Sequence, residues 1–220
     1  MSISTKQITD AQVHIGCLKN ESHPKTSKYR AGIVNGLVVI NPESIIQQIQ
    51  TAREKIIEAK SLNKDILLVC EKKMYYEEIG LLAEKYGFNY LNYKVPAGFL
   101  TNFDTLKKRI DSMNTMSRFI ETDDFRALTK KEKLVFNRKL ERIKKIYKGV
   151  KNLLKKPDLV IVIDGKMMDS FLNELTKQTN IDSIIIAGTN FHRRWKEDSQ
   201  IIANIGSYKS IDFVINNLFN

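Results

Sequence analysis

Leu159-Val160-Ile161-Val162-Ile163-Asp164 is five apolar residues in a row, four of them β-branched, stopped by a carboxylate. A strand with no polar alternation is buried on both faces, which requires a parallel sheet with helices above and below it. The same signature recurs outward along the chain. Ile184-Ile185-Ile186-Ala187 follows it, and Ile66-Leu67-Leu68-Val69-Cys70, Phe88 to Tyr93 and Gly36-Leu37-Val38-Val39-Ile40 precede it. Ile201 to Ile205 reads as a closing strand. Helical patterns separate these runs, so the chain is expected to be α/β, with a parallel sheet covered on both faces.

The clearest helix opens at Asn41-Pro42, a capping side chain followed by a proline whose missing N–H is harmless in the first turn. Ile45, Ile49, Ala52, Ile56 and Ala59 then recur every three or four residues as one buried stripe. Another helix runs through Tyr75, Ile79, Leu82 and Tyr86 and stops at Gly87. A third carries Met168, Phe171, Leu172 and Leu175, and a last one Ile211, Ile215 and Leu218.

The alternation breaks over residues 103–156. Leu106, Ile110, Met113 and Ile120 keep heptad spacing with Ser117 interrupting, and a polar break follows at Glu121–Arg126. Thr129-Lys130-Lys131-Glu132 is then a capping box, and Phe136, Leu140, Ile143, Tyr147, Val150 and Leu154 hold a second seam. Two such segments form an antiparallel coiled-coil hairpin inserted between the third and fourth strands. The organisation expected is a first part of the α/β domain over 1–102, the hairpin over 103–156, and the second part over 157–220.

Among the 220 residues, 36 Lys and Arg oppose 25 Asp and Glu, a net charge of +11. The excess is local. Residues 101–160 carry 17 basic and 8 acidic groups, while residues 161–220 carry 6 and 7. Over 128–156, 12 cations face only Glu132 and Glu141, too one-sided for alternating ion pairs. Self-repulsion of that density favours a polyanionic partner over a merely solvated face. The cations placed on the hairpin's outer face are Lys131, Arg138, Lys139, Arg142, Lys145 and Lys148. Cys17 and Cys70 do not make a disulfide framework, no apolar run approaches a membrane span, and Met1 to Lys6 shows no targeting signal.

Enzyme chemistry is poorly represented. No strand is followed by GxGxxG or GxxxxGK[ST]. Asp164 and the Thr189-Asn190 loop stand at strand ends, where α/β enzymes place reacting groups, and they carry the alternative of a small transferase or hydrolase. His14, Cys17 and His23 lack a fourth ligand for a structural metal site, so no metal is expected. RNA-type chemistry is better represented. Lys25, Lys28, Tyr29 and Arg30 lie in a stretch mixing cations, hydroxyls and an aromatic, and Phe191-His192-Arg193-Arg194-Trp195-Lys196 is a second such cluster.

In order, these segments resemble the small-subunit ribosomal protein S2 family. Val13-His14-Ile15-Gly16 resembles its V-H-F-G, and His23-Pro24-Lys25 its N-P-K. Pro96-Ala97-Gly98-Phe99-Leu100-Thr101-Asn102-Phe103 is similar to its G-G-x-L-T-N-W, and Leu128 to Glu132 to its L-T-K-K-E. Pro157 to Asp164 is similar to its P-D-x-x-x-V-I-D. The chain departs at Cys17, where the family has a second His, and over residues 188–210, where Gly188-Thr189-Asn190 is all that remains of D-T-N-x-D-P.

The resemblance implies a Rossmann-like (flavodoxin-like) sheet with the inserted hairpin, in a structural constituent of the small ribosomal subunit. It implies no enzyme activity, cofactor, small-molecule substrate or membrane. The partners implied are small-subunit rRNA, neighbouring small-subunit ribosomal proteins and the mRNA-binding ribosomal protein S1. RNA contacts are expected at His14, Lys19, Lys25, Lys28, Tyr29, Arg30, Lys94, Thr101, Asn102, Lys107 and Lys108. On the hairpin and the divergent segment they are expected at Lys130, Lys131, Arg138, Arg142, Lys145, Arg193 and Arg194. With 27 Ile, 27 Lys and 17 Asn the composition suggests AT-rich coding, which favours a ribosome of the organelle matrix, the mitochondrion, over the bacterial cytoplasm. A free-standing RNA-binding assembly factor is the remaining alternative.

Overall fold

The computed structural model describes residues 3–192 and 199–219. The chain begins with α1 (Thr5–Asp10) and strands β1 (Ile15–Leu18), β2 (Arg30–Val34) and β3 (Leu37–Ile40). Helix α2 (Pro42–Ser61), strand β4 (Ile66–Val69), helix α3 (Tyr76–Tyr86) and strand β5 (Asn89–Leu91) follow. Then come α4 (Phe103–Phe119), α5 (Asp123–Ala127) and α6 (Lys130–Tyr147). Strand β6 (Leu159–Ile163), α7 (Asp169–Leu175), β7 (Asp182–Ala187), β8 (Gln200–Ile202) and α8 (Tyr208–Phe219) complete it.

Five strands form a parallel sheet in the order β5-β4-β6-β7-β8. Counted within the sheet this is 2-1-3-4-5, the flavodoxin-like winding, whose direction reverses between β4 and β6. Alternation along β6 shows why its sequence is apolar throughout. Leu159, Ile161 and Ile163 pack among α1, α2, α3 and α8, while Val160 and Val162 pack among α4, α6 and α7. The cap at Asn41, whose Oδ1 accepts from Glu43 N at 3.0 Å, and the buried stripe of α2 are as expected.

The strand at Gly36–Ile40 needs correction. It does not join the parallel sheet; β3 pairs antiparallel with β1 and β2 in a separate three-stranded sheet. Asn35 and Gly36, both at positive φ, make the tight turn from β2 into β3.

Helices α4 and α6 pack together as a hairpin. Its root is part of the domain core, because Leu106, Ile110, Met113, Leu140 and Tyr147 share one cluster with Leu67, Val69, Val160 and Val162. The hairpin therefore doubles as the covered crossover that carries the chain past β4, from β5 on one side to β6 on the other. Two details differ from the sequence expectation. Leu154 is 76% exposed and Leu153 takes the core position. The 3-10 turn Lys148–Val150, with three residues per turn, shifts the phase of the heptad there. The polar break at Glu121–Arg126 overlaps α5, whose Phe125 is buried against Phe119 and Phe136 with ring centroids 5.9 and 5.4 Å away.

Candidate nucleic-acid interface

The second hairpin helix starts at Thr129, whose Oγ1 accepts from Glu132 N at 3.3 Å while Thr129 N donates to the Glu132 carboxylate at 2.9 Å. This fixes the helical phase from its first turn. Lys131, Arg138, Arg142 and Lys145 are then spaced by seven, four and three, which puts them on one stripe about 21 Å long. All four are exposed. Among the described residues Lys130, Lys131, Arg138, Lys139 and Arg142 make no ion pair; the pairs formed are Arg126–Asp123, Lys148–Glu84 and Lys155–Asp158 on the hairpin and its root. Lys148 stands 3.4 Å from Glu84, whose carboxyl lies below its ordinary range through a bond from the Tyr90 hydroxyl and the nearby ammonium. Glu121, Asp123 and Asp124 are exposed at the tip, so positive potential belongs to the shaft.

Residues 94–102 form a second element beside the foot of α4. Two carboxylates hold this loop from beneath. Glu71 accepts from Val95 N at 2.7 Å, and Glu174 on α7 accepts from Gly98 N at 2.5 Å and Leu100 N at 3.2 Å. Gly98, at φ +80°, supplies the left-handed turn between them. Phe99 and Leu100 are buried, which leaves Thr101 and Asn102 exposed at the surface. Asn102 occupies the N-cap of α4, yet its side chain makes no capping bond. That side chain is exposed and makes no hydrogen bond among the described residues. Lys94 and Lys108 are exposed, whereas Lys107 Nζ donates to the Leu154 carbonyl at 2.7 Å.

The segment before β3 is more committed to the fold than its composition suggests. Arg30 Nη2 donates to Ser22 Oγ, the His23 carbonyl and Thr26 Oγ1 at 2.9, 3.0 and 3.4 Å, so this guanidinium organises its own loop. Tyr29 is half-buried against the core, with Lys28 Nζ 4.8 Å above its ring. His14 is half-buried, and its carbonyl accepts from Ile40 N. Lys19, Lys25 and Lys28 project to the surface. His23 stacks on His192, ring centroids 5.5 Å apart, and the His192 imidazole is held below its ordinary value by burial and then by His23, Lys25 and Lys28. Arg193 and Arg194 lie outside the described residues.

Thr189 ties this segment to the sheet. Its carbonyl accepts from His23 N, Ser22 Oγ and Thr26 Oγ1 at 2.8, 3.1 and 3.0 Å, and its Oγ1 accepts from Cys17 N at 2.9 Å. These contacts span more than 160 residues of chain, and neither motif nor spacing discloses them. The Glu174 clasp is of the same kind. A sequence signal exists only for its target, because the glycine before Phe99 marks the turn.

A cleft of about 510 Å³ opens at the C-terminal strand ends, where the fold places ligands. Lys72 bridges it, with Nζ 3.1 Å from Asp164 Oδ2 and 2.6 Å from the Ile205 carbonyl. Asp164 sits at φ +65° and its Oδ1 accepts from Met167 N. Of the groups named for an enzyme alternative, Asp164 and Thr189 are thus engaged in holding strand ends together, while Asn190 lines the cleft and its buried Oδ1 has no hydrogen-bond partner among the described residues. Among the described residues no group of three His, Cys, Asp or Glu is placed to hold a metal ion, and no helix is long and apolar enough to cross a membrane.

A sequence profile of the family described as Ribosomal protein S2 matches residues 8–220, nearly the whole chain.

Proposed function

The chain belongs to the ribosomal protein S2 family and is thus a non-enzymatic structural protein of the small ribosomal subunit in translation, and from that premise we propose that the α4–α6 hairpin is its principal grip on rRNA. The single observation that supports this is the exposed cationic stripe of α6, whose Lys131, Arg138 and Arg142 make no ion pair among the described residues. Guanidinium and ammonium groups along it neutralise backbone phosphates and release condensed counterions. Thr101 and Asn102, presented by the carboxylate-held loop, contact backbone or 2′-hydroxyl groups, because A-form RNA is recognised mainly by shape. Lys19, Lys25, Lys28, Lys94 and Lys108 extend the contact, while Arg30 acts by shaping its loop. In this reading the hairpin over 103–156 is one functional insertion in the α/β domain.

The compartment belongs to the same proposal. The Ile-, Lys- and Asn-rich composition supports an organelle ribosome, the mitochondrial one, over a bacterial one. Docking of ribosomal protein S1 is carried by the family resemblance alone. Sucrose-gradient sedimentation after a high-salt wash tests the hairpin's role. The wild-type chain is expected in the small-subunit peak, and the Arg138→Glu, Arg142→Glu, Lys145→Glu variant in the soluble top fractions. Stoichiometric incorporation of that folded variant would refute the proposal.

A further inference from the structure

Phosphate neutralisation leaves one surface feature without a role. A groove of about 730 Å³ lies between α3 and the C-terminal half of α6. Its α6 wall carries Arg142, Lys144 and Lys145 beside the single acid Glu141, and its α3 wall carries Tyr76, Glu77, Leu81 and Glu84. Leu81 is 67% exposed, and Tyr93, beside the groove, is 42% exposed. The Tyr93 ring meets Tyr76 edge-on at 6.0 Å, and Lys145 Nζ rests 4.3 Å from its centroid.

We propose that this groove receives one unpaired nucleotide of the rRNA, its base stacked on Tyr93 beside Tyr76 and its phosphate drawn to Arg142 and Lys145. The inference rests on the RNA reading above and adds a single-strand site to it. A duplex offers a protein no base face, so a shape-reading surface has no use for an exposed tyrosine next to cations. An aromatic face flanked by cations is instead the combination that holds a splayed-out base. The unlike charges of the two walls fit the same occupant. A nucleotide is anionic at one end and carries amino or imino donors at the other, which the exposed Glu77 carboxylate accepts. Lys145 completes the arrangement. Its ammonium occupies the ring face in the free protein, and on binding its flexible stem moves the charge from the ring to the phosphate, leaving that face to the base.

The test measures binding of the full-length chain to a short single-stranded RNA and to a blunt A-form duplex at one fixed salt concentration. Tyr93→Ala is expected to weaken single-strand binding about ten-fold, the value of one stacked base, and to leave duplex binding unchanged. Unchanged duplex binding also shows that the variant is folded. Tyr93→Phe, which keeps the ring face, is expected to bind as the wild type does. Unaltered single-strand affinity in Tyr93→Ala overturns the inference and leaves the groove to a protein neighbour. Equal losses on both RNAs overturn it too, because the ring then serves duplex and single strand alike and marks no single-strand site. A wild-type chain that binds neither RNA overturns the RNA reading itself.

Discussion

Replacing Lys131, Arg138 and Arg142 together by Gln removes three charges from one stripe with little other disturbance. All three side chains are exposed and without ion pairs among the described residues. Gln matches Lys and Arg closely in helix propensity, so α6 keeps its backbone preference. Folding stability is expected to stay within about 0.5 kcal/mol per site, as for ordinary surface positions, with a small gain from relieved self-repulsion. Each lost phosphate contact lowers the slope of log affinity against log salt by roughly 0.7–0.9. Three contacts therefore flatten it by about 2 to 2.7, and at 0.1 M salt the affinity for rRNA falls on the order of 100-fold or more. The assay is equilibrium binding to the small-subunit rRNA over a salt series, with thermal unfolding in parallel. The two binding lines should converge toward 1 M salt. A variant with unchanged slope and normal folding would refute the placement of these cations on phosphates, whatever its affinity at a single salt concentration.

Three further outcomes follow from particular contacts. Thr189→Val keeps the shape and the carbonyl bonds but removes the acceptor for Cys17 N, so denaturant unfolding should show a loss of about 1–3 kcal/mol; a loss below about 0.5 would remove the Thr189 hydroxyl as a tie to β1. Glu174→Ala strips Gly98 N and Leu100 N of their acceptor, and hydrogen exchange at those amides should accelerate at least about ten-fold, with weaker rRNA binding; unchanged exchange would contradict the clasp. The Asp158 carboxyl lies below its ordinary value, since burial, which opposes the shift, is outweighed by bonds from the Lys155 ammonium and Asp65 N–H. A group depressed in the folded state stabilises fully above its unfolded value, about 4, and loses that contribution as the pH falls through the folded one. Acid titration of stability should accordingly lose a component below about pH 4 in the wild type that Asp158→Asn lacks, and identical acid limbs would contradict it.

Local chemistry was legible in the sequence, and long-range chemistry was not. Asn41-Pro42, the α2 stripe, the Thr129 capping box and the left-handed stop at Gly87 are each decided within a few residues, and each stands in the structure as its pattern implies. Gly36–Ile40 misled because a short apolar run does not state which sheet it joins. The better signal was Asn35-Gly36 between two β-branched runs, a hairpin turn that separates β3 from the parallel sheet. Leu154 misled because a heptad was carried through a turn of different period. Arg30, Glu174 and Thr189 belong to neither case. Their roles rest on partners chosen by the folded topology, so residue type alone cannot separate a guanidinium facing RNA from one that closes its own loop.

The central claim, that the hairpin shaft lies on rRNA, is tested most directly by cleavage from a tethered iron chelate in assembled small subunits. A cysteine placed at Asn137, exposed on α6, carries the chelate in a Cys17→Ser background, and a cysteine at the exposed Gln47 on α2 serves as reference. Strong, localised rRNA cuts from position 137, and weaker ones from position 47, are the result predicted. Cuts of equal strength from both positions, or none from 137, would contradict it.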